Sequence, residues 1–402
     1  MPFKSICYIG SIIICSQLWI LSGQSQGSIR CGSQSPIDYR VENVSKQAYP
    51  RSEIIIPVVF HIVWNNLQEN IDEDKIYSQL QTINDDYNQN NIDIVHVPDR
   101  FQKYVGNPGL SFCLAQINPN GQVSTGIIRV QTDIKNIGGL RQDESDHNIL
   151  KSSALGGSDA WDTEQYLNIW VSARSDDILG IASFPNDNTV KPHEDGIEID
   201  YQAFGVREEP SGFNKGRTLT HEIAHYLNVD HLWGKTISCF NDGDFIDDTP
   251  EQGEVYFGCV DDEQQSCGSH DMTHNFLNFL DDECLWYFTK GQKDRMLDAL
   301  YRYRFSLISS GICSDSRPIP DDPLDIAITR LTPFGFQVNL SFMPQLEYHL
   351  GLYDMKGILL WQERQNGLSI HLIETFDLPT GIYVLRLDQG TLSSIKKVFI
   401  TN

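Results

Sequence analysis

The sequence predicts an α+β chain in which a mixed layer of strands and helices is followed by a small β-sandwich. Three observations carry this. Strand-like runs alternate with amphipathic helical patterns from residue 54 to residue 307, a proline-rich break follows Cys313, and only short alternating segments come after it.

The run IIIPVVFHIVW from Ile54 to Trp64 is dense in β-branched and aromatic residues and reads as a buried strand, with Pro57 tolerated near its start. Behind Asp72, a good N-cap residue, Ile76, Leu80, Ile83 and Tyr87 recur at helical spacing, so a helix is expected over 72–90. Strands follow at 109–115 and 126–130 around the turn Asn118-Pro119-Asn120-Gly121, and at 166–171. Residues 196–201 alternate like an edge strand. Further helices are expected from near Arg217 and over 290–307. The segment SDSRPIPDDPL, residues 314–324, has three prolines and several charges and reads as a linker. Beyond it, strands at 335–342, 348–353, 358–361 and 382–387 suggest a β-sandwich over residues 325–402.

With 402 residues, 40% of them hydrophobic, the chain has enough apolar surface for a real core. Acidic residues outnumber basic ones 54 to 30, a net charge of -24, so the basic footprint of a nucleic-acid reader is missing. Such a surface suits an exported protein, cationic substrates or calcium. Residues 1–27 run from Lys4 through an apolar stretch to small polar residues, the order of a signal peptide. No later segment approaches the length of a membrane span, so no stable span is expected. Two of the nine cysteines, Cys7 and Cys15, fall in that leader; seven remain, and in an oxidising compartment they are read as disulfides with one thiol left over.

Residues 221–231 read HEIAHYLNVDH. On a helix, positions i and i+4 share a face, so His221 and His225 present their imidazoles to one ion with Glu222 beside them. His231 completes the set only if the helix ends after His225 and the chain turns back. Asn228 is the expected turning point, because Asn tolerates the left-handed conformation. Three imidazoles with an open fourth position form a catalytic Zn(2+) site, in which Glu222 takes a proton from the metal-activated water and passes it to the leaving amine.

At this point the chain resembles a known group. HEIAHYLNVDHLWG is similar to the extended zinc motif of the metzincins, and CFNDGDFIDDTPEQ with NFLNFLDDECLWYFTKGQKDRM resembles the pappalysin (cytophagalysin) family within them. IPVVFHIVW, GLSFCLAQINPNG, TGIIR and DGIEIDYQAFG extend the likeness across residues 54–313. The resemblance implies a metallopeptidase domain over 51–313, with a twisted, mostly parallel sheet, an active-site helix above and an irregular lower subdomain. It implies protein or peptide substrates in a cleft between the two parts, and pairs Cys239 with Cys267 and Cys259 with Cys284. Calcium is common among such relatives, and Asp242, Asp244, Asp247, Asp248 and Thr249 offer hard oxygen ligands.

Arg30-Cys31-Gly32 resembles a propeptide start within residues 28–50, which makes Cys31 either a thiol switch on the metal or the partner of Cys113 or Cys313. In the methionine-turn region Leu277 stands where the family has Met and Phe279 where it has Tyr, so an apolar base is kept but a hydroxyl donor to the oxyanion is lost. LYDMKGILLWQ, LPTGIYVLRL and the terminal KKVFI resemble a sorting domain read by the type IX secretion machinery. The expected function is a secreted zinc endopeptidase. The alternative is a zinc-retaining, weakly active homologue that serves as a secreted binding protein.

Overall fold

The computed structural model describes residues 29–33, 54–139, 148–185, 187–208, 211–240, 243–309, 312–313, 325–332, 335–341, 348–365, 370–374, 378–389 and 392–400. The expected signal peptide, most of the propeptide-like segment and the linker lie outside them. The chain divides into two compact units, Met1–Cys313 and Ser314–Asn402.

In the first unit the strands are β1 (Ile29–Cys31), β2 (Ile54–Trp64), β3 (Val105–Gly106), β4 (Leu110–Leu114), β5 (Ile127–Gln131), β6 (Leu167–Ser172), β7 (Ile178–Ala182), β8 (Ile197–Asp200) and β9 (Phe288–Thr289). The helices are α1 (Glu73–Tyr87), α2 (Asp99–Gln102), α3 (Arg217–Tyr226), α4 (Lys290–Tyr303) and α5 (Phe305–Ser309). The main sheet runs β1-β7-β8-β6-β2-β4, with β5 pairing with β2 further along the strand. Every pairing is parallel except β7 with β8. Side chains of β2 alternate between two buried faces: Ile56, Val58, Phe60 and Ile62 join the core shared with α1 and α3, while Val59 and Val63 pack in smaller clusters.

Local sequence explains the helix ends. Asp72 accepts from the Lys75 amide at 2.9 Å, which satisfies one orphan donor of α1. Thr289 and Gln292 form a capping box at the start of α4. Two readings need correction. Residues 197–200 are not an edge: β8 lies between β7 and β6 with all four residues buried, because β7, which the sequence reading did not identify, covers it. The helix expected over 290–307 breaks at Arg304, whose guanidinium sits over the Tyr226 ring and pairs with Asp195 at 2.6 Å. A tertiary contact here overrides a helical pattern.

The described residues between Leu227 and Tyr287 are mostly irregular, and disulfides Cys239–Cys267 and Cys259–Cys284 fasten them. Cys113–Cys313 ties β4 to the end of this unit. No helix among the described residues is long and apolar enough to cross a membrane.

The second unit contains β10 (Asp325–Thr332), β11 (Gly335–Ser341), β12 (Tyr348–Asp354), β13 (Leu359–Gln365), β14 (Ile370–Glu374), β15 (Gly381–Gln389) and β16 (Leu392–Ile400). They form two antiparallel sheets, β10-β11-β14 and β13-β12-β15-β16. Val338 and Ile373 from one sheet share an apolar cluster with Leu350, Leu352, Leu385 and Leu387 from the other.

Candidate metal centre

Helix α3 is buried along its whole length, so its polar residues are there for a reason other than solvation. It places His221 and His225 one turn apart. The chain then leaves the helix at Leu227 and turns through Asn228, whose φ of 72° is left-handed. That turn brings His231 back. The three Nε2 atoms lie 3.0, 3.1 and 3.2 Å from one another.

Hydrogen bonds among the rings do not account for this triangle. His221 Nδ1 lies 2.7 Å from the Phe276 carbonyl and His225 Nδ1 lies 2.7 Å from the Val229 carbonyl. A carbonyl only accepts, so both Nδ1 atoms donate, and in the neutral rings both Nε2 atoms then carry lone pairs aimed at the same point. Burial holds the rings neutral: it draws His225 down to about 4 and His221 and His231 well below the ordinary imidazole value. Converging buried lone pairs repel unless a cation lies between them. Separations near 3.1 Å suit ligands bonded to one ion at about 2.0–2.1 Å. The donor set therefore fits a metal, and the Sγ of Cys31 joins the same cluster, all four ligand atoms lying within 4.8 Å of one another.

Cys31 is a buried free thiol. It arrives on β1, which adds to the β7 edge in parallel register, Ile29 opposite Ile178 and Cys31 opposite Gly180. The strand is anchored by Arg30, which pairs with the buried Asp282 at 2.9 Å, donates to the Leu280 carbonyl and stacks on Phe213. Asp282 is itself fixed by the backbone amides of Lys215 and Arg217.

Glu222 points from α3 toward the same edge. Its Oε2 accepts from the Ser33 hydroxyl at 2.8 Å, while its buried Oε1 has no hydrogen-bond partner among the described residues. Burial pushes its carboxyl up to about 7, with Cys31 and Ser33 pulling the other way. Burial and the Glu222 charge push the Cys31 thiol up.

Leu277 is fully buried in the core, and Phe279 packs edge-on against His231 at 5.1 Å and Trp233 at 4.9 Å. His274 stays out of the centre: it stacks on Trp286 at 3.7 Å and bonds the Cys284 carbonyl, while His270 contacts Arg100.

In the acidic loop the side chains serve the fold in several directions. Asp248 accepts from the Thr289 hydroxyl and the Gly291 amide at the start of α4. Asp244 accepts from the Ile246 amide and the Thr249 hydroxyl, and Asp247 is exposed. Asp244, Asp247 and Asp248 do not converge as one ligand cluster among the described residues, and Asp242 lies outside them.

The sequence reading missed the carbonyls of Phe276 and Val229, which carry no side-chain signal, and missed Ser33, Gly180 and the Arg30–Asp282 pair. Arg30 itself was read as part of a propeptide start, but its partner Asp282, far away in the chain, left no local signal.

The family model described as pregnancy-associated plasma protein-A, Peptidase_M43, matches residues 152–301. An extracellular metalloprotease of Arthroderma otae is 34% identical over 149 residues, 35% of this chain and 53% of that protein, so the chain spans about half the length of that relative. One from Arthroderma benhamiae is 26% identical over 253 residues, 61% of this chain and 71% of that protein. Among solved structures, mature mirolysin of Tannerella forsythia in complex with a cleaved peptide is 36% identical with a TM-score of 0.61, over 67% of this chain and 100% of that one. Promirolysin of the same organism is 35% identical with a TM-score of 0.61, over 67% of this chain and 88% of that one. With mirolysin matched along its whole length at this identity and the metal-type histidine centre in place, the chain belongs to the Peptidase_M43 family of metallopeptidases.

Proposed function

We propose that the chain is a secreted zinc-dependent endopeptidase in which His221, His225 and His231 hold the ion and Glu222 is the general base. The observation that carries this reading is the convergence of three buried imidazole nitrogens within 3.2 Å, beside a buried carboxylate and the β7 edge on which β1 lies. Zinc is favoured because three imidazoles and a thiol make a borderline-soft N/S donor set. When bound, zinc supplies Lewis acidity for a scissile carbonyl and lowers the pKa of water.

The chain's own residues do the rest. The free Oε1 of Glu222 accepts a proton near neutral pH and returns it to the leaving amine. The β7 edge offers backbone groups on which a peptide aligns as an added strand, as Ile29–Cys31 does. The seat of Arg30 against Asp282 supports a preference for a basic side chain next to the cleaved bond.

The proposal treats residues 28–50 as a propeptide whose Cys31 thiolate takes the fourth metal position and keeps the chain silent until the segment is removed. It keeps calcium at the acidic loop, supported by the buried Asp244 Oδ2, which has no hydrogen-bond partner among the described residues. Export by the N-terminal leader and sorting through residues 325–402 by the type IX machinery rest on sequence resemblance alone. The extracellular relatives support secretion.

One observation favours the second reading, a zinc-retaining binding protein: Phe279 offers the centre a ring and no hydroxyl. The test is metal analysis plus cleavage of a denatured protein by the processed chain, with and without chelator, beside Glu222→Gln. Chelator-sensitive cleavage lost in the variant supports the peptidase. Zinc retained with no cleavage by either form supports the binding protein.

A further inference from the structure

A cavity of about 600 Å³ lies beside the seat of Arg30. It shares two residues with the surroundings of that arginine. Leu179 of β7 falls between the register pairs Ile29–Ile178 and Cys31–Gly180, directly alongside Arg30, and Phe213 carries the Arg30 guanidinium over its ring at 4.9 Å. The cavity therefore opens next to the strand position that a bound peptide would use.

Its chemistry is opposite to that of the arginine seat. Lys75, half-buried at the start of α1, and Arg207 both line it, together with Tyr201 and Gln202. The Lys75 backbone is engaged in helix-end bonds, but its ammonium has no ion-pair partner among the described residues. Arg207 is held in place by donating to the Tyr201 carbonyl at 3.1 Å. In a chain of net charge -24, two cations lining one cavity stand apart from the average surface. A half-desolvated pair of cations recognises a carboxylate more strongly than an exposed pair does.

We propose that this cavity is a second side-chain subsite of the substrate groove, selecting an acidic residue within about three positions of the one that fills the Arg30 seat, with Lys75 and Arg207 as its specificity-determining residues. The inference rests on the peptidase reading of the groove and adds a charge pattern to it: a basic side chain and, nearby, an acidic one.

The test uses the full chain, zinc-loaded, carrying Arg30→Ala and Cys31→Ala to free the groove and Glu222→Gln to prevent turnover. Fluorescent peptides holding one Arg, with Glu, Ala or Lys placed in turn at the three positions on either side, are titrated by anisotropy. At one position Glu should bind about fivefold more tightly than Ala, and Lys more weakly than Ala. Lys75→Glu should reverse that order at the same position and leave a peptide with Ala throughout unchanged. Equal binding of Glu, Ala and Lys at every position overturns the subsite, as does a Glu preference that survives both Lys75→Glu and Arg207→Glu. Cleavage by the protein with Glu222 intact is scored separately: its absence overturns the peptidase reading while the binding order still decides the subsite. Failure of every peptide to bind overturns both.

Discussion

A Cβ at Gly180 would stand 2.7 Å from Glu222 Cγ and 2.8 Å from its Oε1, so the edge strand β7 and the carboxylate pack backbone against side chain. The position of Glu222 depends on a side chain that position 180 lacks. Gly180→Ala should push Glu222 out of place and lower kcat/KM about a hundredfold, with zinc content unchanged. Kinetics paired with metal analysis checks this, because loss of zinc together with activity would mean damage to the centre itself.

Phe279 is placed to become a donor. Its ring lies 5.1 Å from that of His231 and 5.8 Å from that of His221, so a hydroxyl on this ring lies within a few ångströms of the histidine cluster. Phe279→Tyr should raise kcat about tenfold or more with little change in KM, since an oxyanion donor acts mainly in the transition state. An unchanged kcat would show that the oxyanion is stabilised elsewhere.

The N-terminal strand is held at two points, Cys31 in the histidine cluster and Arg30 on Asp282. Arg30→Ala and Cys31→Ala should each raise cleavage by the unprocessed chain, by about tenfold or more, and the double variant should exceed both. Initial rates measured while mass spectrometry shows an intact N-terminus separate this from faster processing.

His61 provides a stability readout outside the histidine cluster. It lies between Ser158 and Asn168 at 2.8 and 2.9 Å, and burial lowers its pKa from 6.5 to about 4. The unfolded chain therefore binds this proton before the folded chain does. The stabilisation is complete above pH 6.5 and is lost as pH falls toward 4. Its full span is about 3 kcal/mol. Urea unfolding of the wild type and His61→Gln across this window should show a pH slope shallower in the variant by about one proton.

Much of the first unit is legible because its signals are local. The β-branched run of β2, the spacing of Ile76, Ile83 and Tyr87 behind Asp72, and the i, i+4 pair His221 and His225 each lie within one element, where periodicity alone assigns a face. Asn228 at φ 72° belongs with them, since its left-handed turn follows from residue type. Three-residue β1 has no period to read, and β8 resembles an edge until β7 covers it.

The sequence by itself determined which residues are chemically competent: three histidines, a carboxylate and a turn that returns the chain to them. Only the tertiary structure decided what surrounds them. It set the Phe276 and Val229 carbonyls that orient the rings, the glycine that admits Glu222, and the Asp282 that seats Arg30 from a position 252 residues away in the chain. Local spacing is dictated by backbone geometry, whereas these contacts join distant segments through packing, and no short-range pattern encodes that.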